Sequence, residues 1–381
     1  MRRLVEALAG LIALTGLPYL AYVGLYWLLG PEGSPAEKDY DAEPTVSIVL
    51  PTYNEEGIVE AKLEELVSLD YPMENVEVVV VDSSDDETPE LVESFFADRE
   101  APELTMIEQG DRTGVASAVN EAMEVVSSEI VFRTDCDSKL ASNVLKEAAA
   151  NLADDSVRAV TGRQSNVLGE SEVEQDYRDL TARNQILESH LDSTFICHGP
   201  CFAFERSAFR KIEPDSLADD SEIGVNVRRA GGRVVMDPEM KFEESGVSDF
   251  QERRSRKDRR AMGLIQLLTR NGDILGRSGW YGTIVLPFNW WFMIVSPWLS
   301  ILVGVVATVT GVALLGPIGL IVPLFAAFFF WVGQRDGLGK AQPLYAIADS
   351  QVSLLIAQLR LAFGDVTGTW NVDRESRKVF E

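Results

Sequence analysis

Two long apolar runs constrain what this chain can fold into more than any other feature. Residues 4–29 carry a single charged residue, Glu6, and residues 279–334 carry none. Because a helix needs about 20 apolar residues to cross the hydrocarbon core of a bilayer, the first run fits one span and the second fits about two. Residues 45–278 are mixed in polarity, as in a soluble domain. We therefore predict a membrane-anchored chain built around one domain of enzyme size.

The N-terminal run favours a retained anchor over a cleaved signal peptide. The apolar core of a signal peptide usually has about 7–15 residues and precedes a cleavage site of small residues. This run is longer, and no clear site of that kind follows it. We assign residues 1–30 to the anchor and the polar, breaker-rich residues 31–44 to a linker. A hairpin bent at Gly16, Leu17 and Pro18 remains an alternative for the anchor.

The charge balance excludes one class of partner. The chain has 60 acidic and 34 basic residues and a formal net charge of −26. A nucleic-acid-binding protein needs a basic face, so nucleic acid is not an expected partner. An acidic composition in which Arg outnumbers Lys is typical of salt-loving archaea, whose charged surfaces stay solvated at high salt. A merely acidic mesophilic protein is the alternative. With only two histidines, the chain offers little material for a His-based metal site.

The middle of the chain alternates strand-like and helix-like patterns. Apolar β-rich runs occur at 45–50, 76–82, 104–109 and 129–133, with helical patterns between them. This alternation predicts an α/β domain with a mostly parallel sheet. In such sheets, ligands bind beyond the carboxyl ends of the strands. Asp82 and Asp135 both follow strands at these ends, so they are candidate site residues.

Four stretches occur in an informative order and spacing: "SIVLPTYNEE" (47–56), "VVVVDSSDDET" (78–88), "FRTDCDS" (132–138) and "ADDSEIGVNVRRAGGRV" (218–234). Together they resemble the family 2 glycosyltransferases, which are inverting enzymes of GT-A fold, over about residues 45–275. The flanking apolar runs look like the membrane-bound branch of that family, which includes polysaccharide synthases and archaeal N-glycosylation transferases. The resemblance implies a Rossmann-like catalytic domain at 45–250, with transmembrane helices on both sides.

The resemblance implies a divalent metal at "DCD". Mg²⁺ or Mn²⁺ typically binds a diphosphate together with one or two carboxylates. By the family motif, Asp137 would ligate the metal, and Asp135 would contact ribose or share the metal through water. The alternative is a turn at the end of a strand, with Asp135 as its cap.

The resemblance also implies a nucleotide-binding loop and an acid that contacts the base. The acid corresponds to Asp82. A turn capped by Asn54 at the start of a helix is the alternative for the loop. Relatives carry Lys after the glycine that matches Gly114, whereas this chain has Val115, so Arg112 is the candidate that supplies positive charge to the diphosphate. The residues that match the loop are Pro51, Thr52, Tyr53 and Glu55.

An inverting transfer to a hydroxyl group needs a general base. The family's acidic pair corresponds to Asp219 and Asp220, with Asp220 as the base and a register uncertain by one residue. Adjacent carboxylates repel, which raises the pKa of one of them. The alternative is a pair of acids that favours a helix N-terminus through the helix dipole. The preceding stretch "HGPCFAFER" resembles the strand beside the sugar, so we expect His198 and Gly199 to line the cleft.

A basic stretch, "FQERRSRKDRRAMGLIQ" (250–266), falls where relatives carry Gln-x-x-Arg-Trp. Two registers fit, 251–255 or 256–260, and the Trp is missing from both. Arg254 or Arg259 would then contact the diphosphate. The same cluster also fits a segment that lies on anionic lipid headgroups.

The C-terminal third predicts further membrane contacts. We assign residues 251–297, which are basic and then rich in Trp, to a membrane-interface segment. Residues 298–334 form a transmembrane hairpin with spans near 298–315 and 317–333, and residues 335–381 form an amphipathic tail. Arg2 and Arg3 favour a cytoplasmic N-terminus, which with a single span would place the domain outside. A nucleotide-sugar donor and the basic cluster require the domain inside, and we favour that topology.

The predicted protein is a multi-pass glycosyltransferase of the cell membrane whose catalytic domain faces the cytoplasm. It would transfer a sugar from a nucleotide sugar, expected to be UDP-linked, to a lipid-linked or saccharide hydroxyl in N-glycan or cell-surface polysaccharide assembly. A processive polysaccharide synthase is an alternative, disfavoured by the few spans and the absent Trp. A non-catalytic nucleotide-sugar-binding scaffold is a second, disfavoured by the intact aspartates.

Overall fold

A computed structural model describes residues 1–364 except 32, 169–171, 246–249 and 336. Eight strands belong to one sheet. They are β1 (Val46–Thr52), β2 (Val76–Asp82), β3 (Glu103–Glu108), β4 (Ile130–Arg133), β5 (Ser138–Leu140), β6 (Val157–Leu168), β7 (Phe202–Glu205) and β8 (Arg233–Ser245).

Twelve α-helices accompany the sheet within the described residues. They are α1 (Arg2–Leu29), α2 (Val59–Val67), α3 (Thr88–Phe96), α4 (Val115–Val125), α5 (Val144–Leu152), α6 (Glu172–Leu191), α7 (Asp219–Arg229), α8 (Phe250–Arg270), α9 (Leu286–Trp290), α10 (Ser296–Leu315), α11 (Ile321–Gly333) and α12 (Gln342–Phe363).

The sheet confirms the predicted α/β architecture and adds antiparallel strands to it. Its order is β3-β2-β1-β4-β7-β6-β8-β5. The first four strands in this order are mutually parallel. β7 then runs antiparallel to both of its neighbours, and β5 runs antiparallel to β8. The short β5 and β7 carry too few residues for a periodic signal, so the sequence pattern did not predict these pairings.

The sheet is buried on both faces. Val78 and Val80 of β2 pack into one apolar cluster, whereas Val79 and Val81 pack into a second cluster on the other side. Successive side chains of a strand point to opposite faces, so a run of four valines fits a strand that is covered by helices on both sides. This arrangement leaves the ends of the strands as the accessible part of the sheet.

The N-terminal apolar run forms one continuous helix. α1 passes through Pro18 without interruption, which removes the hairpin alternative. Within the described residues, three helical segments are long and apolar enough to cross a membrane: Arg2–Leu29, Tyr281–Gly333 and Gly339–Phe363. The second contains α10 and α11, which agree with the two predicted spans, and a 3₁₀ turn at Gly316–Leu320 separates them.

Two glycines allow the chain to fold back between α10 and α11. A Cβ on Gly319 would lie 2.1 Å from the carbonyl carbon of Gly311. Only glycine permits two backbones to approach so closely. The close contact supports the hairpin predicted for residues 298–334.

The anchor is joined to the rest of the protein by a buried polar contact. The Tyr22 hydroxyl donates to Glu188 Oε1 at 3.0 Å, and Asn289 Nδ2 donates to the same oxygen at 2.8 Å. The Tyr22 ring stacks on Phe288 with a centroid distance of 3.7 Å. Residues from α1, α6 and α9 therefore meet at one carboxylate.

The linker is also held against the domain. Lys38 Nζ lies 2.7 Å from Glu147 Oε2 and 2.7 Å from Asp237 Oδ2. Asn151 Nδ2 donates to the same Asp237 oxygen at 2.6 Å. Burial opposes the charged form of Lys38, but the two carboxylates outweigh it and raise the pKa of the ammonium group. The segment between anchor and domain is thus clamped to α5 and β8.

Replacing Lys38 by Met should destabilise the protein strongly. The substitution leaves two buried carboxylates without their cation, which typically costs about 3–5 kcal/mol. Thermal unfolding of the detergent-solubilised protein measures the fall in Tm. The matched control is Lys146→Met, which removes a solvent-exposed pair with Asp70 and is expected to cost about 0–1 kcal/mol. Equal Tm values for the two variants would contradict the clamp.

Candidate active site

The carboxyl ends of β1 and β2 are tied together by hydrogen bonds. The Thr52 hydroxyl donates to Asp82 Oδ1 at 2.5 Å. Ser84 donates to Asp82 through its backbone N–H at 2.8 Å and its hydroxyl at 2.7 Å. Asp82 is only 2% exposed. The acid predicted to contact the base is therefore held inside the fold, where it orders the loop after β2.

The first predicted nucleotide-binding loop is shaped by Asn54. Its φ of 55° is left-handed, a conformation that Asn adopts more readily than most residues. Its backbone N–H donates to Ser84 Oγ at 2.8 Å, and its Oδ1 accepts from Asp85 N–H at 3.0 Å. Asn54 therefore joins the loops after β1 and β2 and does not cap α2, which begins at Val59.

The other residues of this loop lie at the carboxyl end of β1 and directly after it. Pro51 is part of β1 and Glu55 is buried, with its backbone N–H donating to Thr88 Oγ1 at 2.9 Å. The guanidinium carbon of Arg112 lies 3.9 Å from the centre of the Tyr53 ring, in cation–π geometry. The structure thus brings together Tyr53 and Arg112, which are 59 residues apart in sequence.

Side chains of α2 form hydrogen bonds with the segment that follows Asp135 and Asp137. Lys62 Nζ donates to the Ser138 carbonyl at 2.8 Å, and Glu65 Oε1 accepts from Leu140 N–H at 2.6 Å. The Ser138 hydroxyl in turn donates to the Asp135 carbonyl at 2.7 Å. Lys62 is 2% exposed, so its ammonium group interacts with this loop and not with solvent.

Negative charge is concentrated around Asp135. Burial raises the pKa of the Asp135 carboxyl, Arg133 opposes the rise, and the charges of Asp137, Asp219 and Glu244 add to it. A divalent cation would relieve this repulsion, and carboxylate oxygen is the donor that Mg²⁺ and Mn²⁺ prefer. The residues present therefore fit such an ion.

The structure also limits how the protein would hold that ion. Among the residues it describes, no group of three or more His, Cys, Asp or Glu side chains converges on one point. A cation held by one or two carboxylates completes its shell with phosphate oxygens and water. The site is therefore suited to a metal that arrives with a diphosphate more than to a permanently bound one.

The predicted acidic pair opens α7, and its two carboxylates have different surroundings. Asp220 accepts hydrogen bonds from the N–H groups of Gly199 at 2.8 Å and Ser221 at 2.6 Å. Asp219 Oδ2 lies 3.3 Å from Arg133 Nη2. Burial raises the pKa of the Asp219 carboxyl, with Arg133 opposing it and Asp220 adding to it. The backbone fixes the orientation of Asp220, and Arg133 faces Asp219.

A close helix contact brings the basic stretch to this pair. A Cβ on Gly263 of α8 would lie 2.6 Å from the carbonyl oxygen of Leu217, just before α7. One turn earlier, burial and the neighbouring Arg260 and Arg256 lower the pKa of Arg259 to about 10. The charges of Asp219 and Asp135 act in the opposite direction on the pKa of Arg259.

Arg254 is engaged elsewhere. Its Nη1 lies 2.6 Å from Asp349 Oδ1 of α12, and Lys257 Nζ lies 3.4 Å from the other oxygen of the same carboxylate. Of the two registers left open by the sequence, the geometry therefore favours 256–260, with Arg259 as the residue that can reach a diphosphate. Arg254 joins α8 to α12 instead.

His198 is held as an uncharged group between Thr161 and Gln185. Its backbone N–H donates to Thr161 Oγ1 at 2.8 Å, and its ring nitrogen Nε2 lies 3.2 Å from Gln185 Oε1. Burial lowers the pKa of His198 to about 4. Next to it, Arg260 Nη2 lies 2.9 Å from Glu244 Oε2. His198 therefore suits a shape-defining role, since it stays neutral at physiological pH.

Sequence reasoning missed four charged residues that shape the site: Lys62, Arg133, Glu244 and Arg260. One signal was available for Arg133, since a charged residue inside the apolar strand run "IVFR" requires a buried partner. Lys62 and Glu244 gave no comparable signal, because charged residues on a helix or a long strand are ordinarily exposed.

Comparison with known proteins agrees with this architecture. The mannosyltransferase PcManGT from Pyrobaculum calidifontis, solved in complex with GDP-Man and Mn²⁺, superposes with a TM-score of 0.79. The match covers 96% of this chain and 99% of that one, with 26% identical residues. The fold is therefore that of a GT-A glycosyltransferase, as the resemblance predicted.

A family model also matches part of the chain. Residues 47–213 match the model described as Glycosyl transferase family 2. Two curated relatives are a glycosyltransferase, AglD, of Haloferax volcanii and a beta-monoglucosyldiacylglycerol synthase of Synechocystis. AglD is 28% identical over 71% of this chain and 41% of its own length. The synthase is 26% identical over 50% of this chain and 38% of its own length. The chain spans about half the length of the first curated relatives it matches.

Arg259→Gln should weaken binding of a nucleoside diphosphate in the presence of Mn²⁺. Loss of a hydrogen bond to a charged group costs about 1.5–3 kcal/mol, which is roughly a 10- to 150-fold rise in Kd. Isothermal titration with GDP and UDP measures the change. Arg254→Gln is the matched control and should leave Kd unchanged, because that residue pairs with Asp349. The reverse ranking would restore the register 251–255.

Proposed function

We propose that the protein is a membrane-bound, inverting glycosyltransferase that transfers a sugar from a metal-bound nucleotide sugar to the hydroxyl of a lipid-linked acceptor. One observation carries the proposal: Arg133 lies 3.3 Å from Asp135 of the "DCD" loop and 3.3 Å from Asp219 of the acidic pair, and α8, which carries Arg259, packs through Gly263 against the start of α7. Carboxylates for a cation and a base, beside an arginine for a diphosphate, are the groups that this transfer requires.

The donor binds along the edge of the sheet. The nucleoside occupies the loops after β1 and β2, near Tyr53 and Arg112. Its diphosphate lies between Asp137 and Arg259. Asp137 would hold a Mg²⁺ or Mn²⁺ ion, which when bound would supply Lewis-acid stabilisation of the negative charge on the leaving diphosphate. Asp135 contacts ribose or a water of the metal shell, as its position beside Asp137 allows.

Asp220 acts as the general base. Two backbone N–H groups hold its carboxylate in one orientation, whereas Asp219 faces a guanidinium. The acceptor oxygen attacks C1 of the sugar as its proton passes to Asp220. The bond between C1 and the phosphate oxygen breaks, and its electron pair leaves with the nucleoside diphosphate. Because attack and departure occur on opposite faces, the anomeric configuration inverts.

The nucleotide of the donor is a matter for direct comparison. We predict a UDP-linked sugar from the sequence, whereas the mannosyltransferase that matches this chain over nearly its whole length was solved with GDP-Man. Purified protein incubated with GDP-mannose and with a set of UDP-sugars, followed by mass analysis of the lipid products, decides between them. A donor set in which none is consumed would contradict the proposed function.

A lipid-linked acceptor is supported by the membrane segments and by the acidic pair. In the part of the chain that the structure describes, three helical segments have the length and composition to cross a membrane, and the Synechocystis relative is named a beta-monoglucosyldiacylglycerol synthase. A lipid phosphate is already an anion and needs no base to attack. The presence of a base therefore favours the hydroxyl of a lipid-linked sugar, as in N-glycan or cell-surface polysaccharide assembly.

The proposed setting is a multi-pass protein of the cell membrane whose catalytic domain faces the cytoplasm, where nucleotide sugars occur. The net charge of −26 and the relative from Haloferax volcanii support an origin in a salt-loving archaeon.

A processive synthase is less consistent with the site. In the register 256–260, Arg260, which pairs with Glu244, stands where relatives carry the Trp. Purified protein should therefore add a defined number of sugars; a long polymer from one donor would favour processivity.

Asp220→Asn should lower kcat roughly 10²- to 10⁴-fold, the usual contribution of a general base. The substitution keeps the size of the side chain and removes its ability to take the proton. Release of nucleoside diphosphate under saturating donor and acceptor measures the rate. Asp219→Asn is the paired variant and should lose less activity. If the losses are reversed, Asp219 is the base, and if both variants keep full activity, the pair has no catalytic role.

Chelation of divalent cations should abolish donor binding, and Mn²⁺ should restore it. Asp137→Asn should shift the restoring Mn²⁺ concentration upward, because one anionic oxygen ligand is lost. The rise in Tm produced by Mn²⁺ with nucleoside diphosphate reports the binding independently of turnover. Asp155→Asn, at an exposed position away from the cleft, is the control and should behave as wild type. Unchanged Mn²⁺ dependence in Asp137→Asn would exclude this residue as a ligand.

A further inference from the structure

Arg133 is a buried charge that the proposed reaction does not use. It ends β4 and is only 5% exposed, within a strand whose other residues, Ile130, Val131 and Phe132, are apolar core. A buried arginine is costly unless carboxylates or other acceptors surround it. Interactions around Arg133 must therefore offset the free-energy cost of burying its charge.

The guanidinium group joins the two halves of the acidic edge. Arg133 Nη2 lies 3.3 Å from Asp135 Oδ1 and 3.3 Å from Asp219 Oδ2. Asp135 belongs to the loop after β4, whereas Asp219 opens α7, so one nitrogen bridges the candidate metal loop and the candidate base pair. These carboxylates would repel each other without a cation between them.

Gly199 forms the other side of the cradle. β7 pairs antiparallel with β4 so that Phe202 lies opposite Arg133, which brings the turn before β7 to the same sheet edge. A Cβ on Gly199 would lie 1.5 Å from Arg133 Nη1. The Gly199 N–H also donates to Asp220 at 2.8 Å. The arginine therefore packs directly against the residue that orients the base.

We propose that Arg133 is a positioning residue that sets the distance between the donor side of the site and the catalytic base, and that Gly199 is a glycine in order to admit it. The inference rests on the proposed function, since it assigns Asp220 as the base. Arg133 acts through Asp135, Asp219 and Gly199 and does not contact substrate. Arg259, on α8, remains the residue that binds the diphosphate.

A double-mutant cycle between Arg133→Met and Gly199→Ala tests the proposal. Each single variant should lower kcat roughly 10²-fold, because a misplacement of about 1 Å has effects of this size. Donor Kd, measured with Mn²⁺ and nucleoside diphosphate, should change less than threefold, roughly 0.6 kcal/mol, because the diphosphate-binding groups remain. The double variant should be no slower than the slower single variant, since both changes remove the same contact.

Two controls make the cycle interpretable. Arg233→Met removes an arginine that donates to the carbonyls of Pro35, Ser189 and Asp192, so its effect should multiply with that of Gly199→Ala. Gly304→Ala adds a Cβ that meets nothing within 4 Å and should leave kcat unchanged. Effects of Arg133→Met and Gly199→Ala that multiply to roughly 10⁴-fold would overturn the proposal.

Thermal unfolding of the same variants gives a readout that does not depend on activity. Gly199→Ala should lower Tm in the wild-type background, where the added methyl group meets the guanidinium. It should lower Tm much less in the Arg133→Met background, where the flexible Met side chain can yield. An equal fall in both backgrounds would overturn the cradle even if the enzyme is active. If the variants show this Tm coupling but the wild-type protein consumes no donor, the proposed function is refuted and the cradle is not.

Discussion

Electrostatic repulsion between carboxylates at one edge of the sheet is the constraint on which the site depends. Asp135, Asp137, Asp219 and Asp220 come from two separate segments, and packing them together costs free energy unless cations intervene. Arg133 supplies a permanent buried cation, and α8 supplies Arg259 on the open side. The remaining excess of negative charge suits a divalent ion that arrives with the donor. In the proposed mechanism, the ion that enters with the donor would also neutralise the excess negative charge of these carboxylates.

Much of the catalytic half of the fold could be predicted from the sequence because its signals are local. The valine run of β2 and the acids at the ends of β2 and β4 can each be recognised within a window of about ten residues. The antiparallel strands could not be predicted in this way, since β7 is recognisable only by its pairing with β4. The sequence could therefore supply candidate acids, while the distances between them depended on contacts between distant segments.

Two arginines of α8 show most clearly that local sequence patterns and long-range contacts carry different information. Arg254 and Arg259 lie five residues apart on α8 and were equivalent by sequence. Their roles separate only because Gly263 brings one face of the helix against the start of α7, while Asp349 of α12 captures the other. Likewise, nothing in the sequence distinguished Gly199 from any turn glycine until Arg133 was placed against it. Long-range packing decides which of several similar residues becomes functional.

The contact of Tyr22 and Asn289 with Glu188 determines the geometry in which the enzyme meets its acceptor. Together with the Lys38 clamp, it ties the catalytic domain to the anchor at two separate places. If α1 crosses a bilayer, these two contacts would hold the candidate site at one height above the lipid headgroups. For the proposed lipid-linked acceptor, selection would then depend on the distance of its reactive hydroxyl from the membrane. A glycan longer by one or two sugars would present its terminal hydroxyl outside that distance.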